Sequence, residues 1–262
     1  MRLLDDARIC LIFFTRIPVS WPEDLPRERI TRAFQAAPIV GLTTGLIGAL
    51  VYALGFWVFN GSVHICATLA VAAQLIATGA FHEDGFADFF DGIGGGQTSE
   101  ARLEIMRDSR IGTYGSAALL LALILKIFLV SEIAQVWQTG LCLIIAGTLA
   151  RVALVHFMAL VKPAAQDGSS AAAGQPTKFE ATTATIIGGV IAGVSLVLAF
   201  QLGFILPALG AIAGAILGAG LIGVIAKKYL GGQTGDALGA SAVAAELGAL
   251  AGLVALMPAT GF

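Results

Sequence analysis

Charge is what this sequence has least of. Asp, Glu, Lys and Arg make up 12% of its 262 residues, about half of the roughly 25% that a soluble globular domain carries, and the mean hydropathy is +0.89. That shortage excludes an ordinary water-soluble domain, because most of the chain must face lipid or other apolar helices. Cysteine is scarce as well. Cys10, Cys66 and Cys142 lie far apart and form no CxxC pair, so they are expected as small buried apolar residues rather than as disulfides or metal ligands. The chain opens Met1-Arg2-Leu3-Leu4-Asp5-Asp6, with acids where a signal peptide would be basic. No second domain, low-complexity linker or internal repeat stands out, so a single integral membrane domain over 1–262 is expected.

What is present is apolar helix. A membrane-crossing helix needs roughly 20 mainly apolar residues. Seven stretches supply them: 39–59, 63–82, 111–130, 141–161, 181–200, 204–226 and 236–257. The fifth and sixth are rich in Gly and Ala, which lets helices approach closely. Residues 3–22 differ. Leu3, Leu4, Ile9, Leu11, Ile12, Phe13 and Phe14 alternate with Asp5, Asp6, Arg8 and Arg16, and the run stops at Pro18 and Pro22, which suits a helix lying in the membrane interface. The expected fold class is all-α: a polytopic membrane protein of about seven transmembrane helices, with an N-terminal interfacial helix and a cytosolic amphipathic helix.

The 15 basic residues orient this array. Arg2, Arg8, Arg16, Arg27, Arg29 and Arg32 precede the first span. Arg102, Arg107 and Arg110 lie between spans two and three, Lys162 and Lys178 between four and five, and Lys227 and Lys228 between six and seven. Every loop cation therefore falls on alternate connections, and the positive-inside rule makes those connections cytosolic. The long cytosolic segments are then 1–38, 83–110 and 162–180. Lys126 and Arg151 remain, both within spans.

The densest chemistry is Phe81-His82-Glu83-Asp84-Gly85-Phe86-Ala87-Asp88-Phe89-Phe90-Asp91-Gly92. Read as the continuation of helix two, Asp84, Asp88 and Asp91 stand at i, i+4 and i+7, on one helical face. Like charges so placed repel, and no Lys or Arg lies among them. A hard divalent ion would compensate: Mg²⁺ takes a few carboxylates and substrate phosphates while keeping waters. A solvated acidic helix end is the plainer alternative, but four phenylalanines anchor this stretch in apolar surroundings. Gly92-Ile93-Gly94-Gly95-Gly96 would allow close backbone approach to a phosphate. Thr98-Ser99-Glu100 resembles a helix start, and that helix would carry Arg102, Glu104, Arg107, Asp108 and Arg110, with Arg107 and Arg110 suited to phosphate or to anchoring at the membrane surface. A second polar cluster, Lys227-Lys228-Tyr229-Leu230-Gly231-Gly232-Gln233-Thr234-Gly235-Asp236, falls on the same side. Asp236 opens helix seven, either as a plain N-cap or as part of a joint site with the first cluster.

Two charges fall halfway along spans, Arg151 in the fourth and Glu246 in the seventh. At ~1.5 Å per residue they sit at similar depth, so they are expected to pair. Lys126, near the outer end of span three, can snorkel. His156 is expected as a satisfied polar residue, and His64 has no expected role.

At these motifs the sequence resembles the cobalamin synthase family, adenosylcobinamide-GDP ribazoletransferase, over nearly its whole length. The matching stretches are Phe14-Thr15-Arg16-Ile17-Pro18, His82-Glu83-Asp84-Gly85-Phe86-Ala87-Asp88 with Asp91-Gly92, Arg102 to Gly115 (RLEIMRDSRIGTYG), and Gly231-Gly232-Gln233-Thr234-Gly235-Asp236. Residues 163–176 depart from the basic, glycine-containing loop expected there. The resemblance implies a Mg²⁺-dependent phosphotransferase of the bacterial inner membrane, with N-terminus and active site cytosolic. It would join adenosylcobinamide-GDP to alpha-ribazole or its 5′-phosphate and release GMP. It also implies roles. Asp84 and Asp88 would be metal ligands with Asp236 completing the shell, and Asp91 would ligate a second metal or act as general base. Arg107, Arg110 and Lys227 would clamp phosphates, with His82 also facing substrate and Asp108 a lesser candidate. The other expected partner is membrane lipid; no nucleic acid is expected, and a homo-oligomer is left open.

Three other classes are weighed against this one. A CDP-alcohol phosphotransferase would place an Ala-Arg pair after the first Asp-Gly, where this chain has Phe86-Ala87-Asp88. A UbiA-type prenyltransferase would need a second Asp-rich motif, and the second cluster has one Asp. An ion-coupled transporter could use Arg151 and Glu246, but would show paired repeats and interrupted helices.

Overall fold

The computed structural model describes residues 2–20, 26–164 and 174–257. Its helices, in chain order, are α1 (Arg2–Phe14), α2 (Arg27–Ala33), α3 (Ala37–Val58), α4 (Val63–Thr78), α5 (Phe81–Gly95), α6 (Ser99–Arg107), α7 (Thr113–Ile133), α8 (Val136–Leu160), α9 (Lys178–Phe200), α10 (Ile205–Leu230) and α11 (Gly235–Leu256). The chain is an all-α, multi-pass membrane protein. Six helices are long and apolar enough to cross a membrane on their own: 28–58, which runs from α2 through a 3-10 turn into α3, and α7 to α11. A seventh crossing exists if α4 and α5 count as one broken span, because they are bent by 91° at the break between them.

That bend corrects one expectation. The acidic motif does not continue helix two. Gly79 and Ala80 both take left-handed backbone conformations, φ 65° and 56°, which an α-helix cannot propagate. The break is held from the N-terminal segment. The Arg16 backbone N–H donates to the Ala77 carbonyl at 2.7 Å, and the Arg16 side chain fills the space a side chain at Gly79 would need. Glycine is required there both for its φ and for the room it leaves. The segment is itself fixed, since buried Asp6 pairs with Arg29 and accepts from Gln35 at 2.6 Å. Phe13 and Phe14 pack against Phe34, Phe81 and His82.

Small residues set the helix spacing, as the Gly and Ala content predicts. On α10, Gly210, Gly214 and Gly218 recur every fourth residue and meet Gly252, Gly248 and Ala244 of α11 backbone to backbone. Gly41 of α3 meets Gly147 of α8 in the same way. Such small-xxx-small seams let two helices gain dispersion contacts where lipid offers no hydrophobic drive.

The charges within the bundle differ in one respect from expectation. Arg151 and Glu246 do pair, at 3.6 Å. Lys126 does not snorkel, however; it is 7% exposed and its Nζ lies 2.7 Å from Glu246. A lysine that can reach a buried carboxylate gains more from it than from stretching to the interface, and it spares the carboxylate an unpaired desolvated charge. His156 is satisfied by Thr185 at 2.7 Å. The divergent stretch 163–176 falls mostly outside the described residues.

Candidate active site

Helix α5 sorts its residues by side. Phe86 and Phe89 are buried, Asp84 is exposed and Asp88 half-buried. With 100° per residue, Asp84 and Asp88 project from one strip. Against that strip comes the start of α11. A side chain at Gly85 would lie 2.9 Å from the Asp236 Cα, and one at Gly239 would lie 2.9 Å from the His82 carbonyl oxygen. Lack of a Cβ at these points is what lets the two helices touch. Asp236 is in consequence close enough to Asp88 and Asp84 to feel both charges, and Asp88 feels Asp84 and Asp91. Among the described residues, no Lys or Arg pairs with Asp84, Asp88 or Asp236. Asp236 is not the helix cap. Thr234 caps α11, its hydroxyl accepting from the Ala237 N–H at 3.1 Å, and the Asp236 carboxylate is left for other work.

Asp91 differs from Asp84 and Asp88 in its surroundings. It is buried, and its two carboxylate oxygens accept from the Gly112 N–H at 2.6 Å and the Gly115 N–H at 2.8 Å. Those are orphan donors at the start of α7, so Asp91 closes that helix end across space, where a carboxylate also suits the helix dipole. The glycine run is likewise not a phosphate-cradling loop. Gly92 to Gly95 form the last turn of α5, and their missing side chains admit Met106, Arg102 and Tyr114. Small residues there let α6 fold back onto α5.

The expected basic residues divide. The Thr98 hydroxyl caps α6 by accepting from the Ala101 N–H, but α6 ends at Arg107, so Asp108 and Arg110 lie beyond it. Arg110 grips Asp108 with its guanidinium; its side-chain and backbone hydrogen bonds hold the Asp108 carboxyl down to about 2. Arg107 is exposed and belongs to no ion pair among the described residues. Arg102 instead stacks over the Tyr229 ring at 5.0 Å, tying α6 to the end of α10. Lys227 lines a groove of about 590 Å³ with His156 and Thr185, between α8, α9 and α10, away from the carboxylates. His82 is 2% exposed and stacks on Phe14, with neither ring nitrogen hydrogen-bonded. In the second cluster, Gly231 ends α10 at φ 79°, and Gln233 forms a two-hydrogen-bond bridge to the chain at 162–164.

Glu83, within the acidic motif, and Lys126 have no expected role in the site. Both were visible as charges inside apolar stretches.

Among the described residues, no group of three or more His, Cys, Asp or Glu side chains is placed to hold a metal ion by itself. The donor chemistry nonetheless fits an open magnesium site: mutually repelling carboxylates with no cation, on two helices, match an ion that keeps several waters and takes only one or two carboxylates with substrate phosphates.

The fold is a multi-pass helical bundle with unpaired carboxylates gathered where a broken helix meets a helix start. The family profile described as Cobalamin-5-phosphate synthase matches residues 6–254. Curated relatives named adenosylcobinamide-GDP ribazoletransferase include one from Mesorhizobium japonicum, 41% identical over 95% of this chain and 92% of its own length. One from Bradyrhizobium diazoefficiens is 42% identical, over 91% and 88%. One from Vibrio cholerae is 37% identical, over 89% and 87%. No solved structure matches. The chain belongs to the cobalamin-5-phosphate synthase family.

Proposed function

We propose that the protein joins adenosylcobinamide-GDP to alpha-ribazole or its 5′-phosphate, at the inner membrane of a bacterium, with Asp84, Asp88 and Asp236 as the reacting centre. The observation that carries this reading is the meeting of Asp84 and Asp88 on α5 with Asp236 on α11 without any cation between them. The relatives' names, adenosylcobinamide-GDP ribazoletransferase, support the donor and a ribazole-type acceptor. A ribose hydroxyl oxygen of the acceptor forms a bond to the cobinamide-side phosphorus of the donor's pyrophosphate. The phosphorus–oxygen bond to GMP breaks, GMP leaves with that electron pair, and the hydroxyl proton passes to a carboxylate. In-line transfer of this kind is mostly positioning plus charge stabilisation. Magnesium, when bound, would offset the charge on the pyrophosphate.

Two of Asp84, Asp88 and Asp236 would hold the ion together with the substrate's phosphates. Asp91, with both oxygens engaged by α7, is a poor proton acceptor, which leaves the third carboxylate for that role. Arg107, exposed and unpaired, is the best placed of the expected cations to meet a phosphate; Arg110 would first have to leave Asp108. The loop cations, on alternate connections, support a cytosolic position for this end of the bundle and the N-terminus.

The test is to incubate purified protein with adenosylcobinamide-GDP and alpha-ribazole, with and without Mg²⁺, and follow products by mass. GMP and the joined cobamide should form only with the metal. Absence of both products with all components present would refute the proposal.

A further inference from the structure

Glu83 precedes the first carboxylate of the site and has no part in it so far. It lies in the first turn of α5, and its Oε2 is buried without a hydrogen-bond partner. It shares a cavity of about 10 Å³ with Lys126 and Glu246. A space that small holds about one water at most, so these groups face one another.

Counting charge shows what Glu83 adds. Lys126 of α7, Arg151 of α8 and Glu246 of α11 form one cluster, with Glu246 2.7 Å from the lysine and 3.6 Å from the arginine. Those three sum to one excess positive charge in the interior of the bundle, where an uncompensated charge is costly. The Glu83 carboxylate brings the sum to zero. His82, the neighbouring titratable group, is buried beside the same two cations.

Its position on α5 gives this balance a consequence for the site. The 91° bend at Gly79 and Ala80 means that α5 does not run on as a straight continuation of α4. Its direction depends in addition on the helices packed along it. At its far end Asp91 accepts from the backbone of Gly112 and Gly115 on α7. In the middle, the Ala87 carbonyl lies against Gly115. Glu83, eight residues before Asp91, faces Lys126 on the same helix α7. Asp91 thus fixes the α7-facing side of α5 at one end by hydrogen bonds, and at the other end the Glu83 carboxylate lines the small cavity it shares with Lys126. Asp84 and Asp88, on the adjoining strip, are thereby presented toward Asp236.

We infer that Glu83 and Lys126 are positioning residues: together with Glu246 and Arg151 they form a neutral buried quartet that sets the direction of α5 and so the spacing of Asp84 and Asp88 from Asp236. The inference rests on the proposed reading of those three carboxylates as the reacting centre. The experiment compares Glu83→Gln, the charge-balanced double variant Glu83→Gln/Lys126→Met, and Asp84→Asn. Each is measured in two ways: the melting temperature in detergent without Mg²⁺, and kcat, KM and the Mg²⁺ concentration for half-maximal activity.

Glu83→Gln should melt lower and lose about 10²-fold in kcat, the scale on which small misplacements act, with a raised Mg²⁺ requirement and little change in KM. The double variant should regain the melting temperature, because its charges balance, yet keep the low kcat, because α5 is no longer tied to α7 there. A purely structural role would instead make activity recover with stability, and that result overturns the inference. So does wild-type kcat and Mg²⁺ dependence in Glu83→Gln, or a double variant no more stable than the single one. Wild-type turnover in Asp84→Asn would bring down the site reading instead, and the metal-free melting temperatures would still decide whether the quartet exists.

Discussion

Glu246 is the carboxylate on which two buried cations converge, and replacing it with glutamine is the sharpest test of how the bundle tolerates charge. Lys126 and Arg151 lie 2.7 and 3.6 Å from its two oxygens, and all three side chains are at most a tenth exposed. Glutamine keeps the shape and one acceptor oxygen but removes the charge. Breaking a buried pair from one side costs roughly 3–5 kcal/mol, since the surviving cation stays desolvated. For a chain of this size each kcal/mol moves the melting temperature by about 2–4 °C, so Glu246→Gln should lower it by roughly 6–20 °C. Intrinsic fluorescence of the three tryptophans during heating in detergent reads this directly. Replacing Lys126, Arg151 and Glu246 together with methionine should cost less than Glu246→Gln alone, because an apolar trio carries no desolvation penalty. Exchanging Arg151 and Glu246 should not restore stability, because the relocated cation would then face Lys126. An unchanged melting temperature in Glu246→Gln would refute the premise that these charges are buried and mutually dependent.

Asp84→Asn should keep the wild-type melting temperature, since Asp84 is exposed, and lose roughly 10²–10³ in turnover; GMP release at the wild-type rate in saturating Mg²⁺ would refute its place in the site. Asp88→Asn and Asp236→Asn should resemble it, and the losses should not add if one centre is served by all three. Asp91→Asn turns an amide N–H₂ toward one of two backbone N–H donors, at a cost of about 1–3 kcal/mol, and its loss of activity should follow its loss of stability across temperature; catalysis abolished at an unchanged melting temperature would return Asp91 to the chemistry. Cysteines placed at the exposed positions Gln97 and Lys228 should react with an impermeant thiol reagent only when the cytosolic face is open, whereas buried Gln233 is unsuited to that test. Labelling of either from outside intact cells would overturn the orientation.

Much of this protein was legible in its sequence. Hydropathy alone marked the long apolar helices within a few residues, because a span long enough for a bilayer leaves a signal in composition that no tertiary contact can erase. The Thr98 start of α6 followed from local capping chemistry. The i, i+4, i+7 acidic face was likewise readable, since helical spacing depends only on sequence position. Arg151 and Glu246 could be paired by depth because both are fixed along stiff helices.

Tertiary structure decided everything that depends on which helices touch. The break at Gly79 and Ala80 is stabilised by Arg16, more than sixty residues earlier in the chain, and no local pattern announces it. Asp91 stands on the same helical face as Asp84, yet only the approach of α7 gives its oxygens two backbone donors that Asp84 and Asp88 lack. Lys126 looked free to reach the interface until α11 brought Glu246 within 2.7 Å. Residue types and helical periods are properties of the chain. The partner a charge finds in a medium that cannot solvate it is a property of the packing, and in a membrane bundle that choice assigns each buried charge its role.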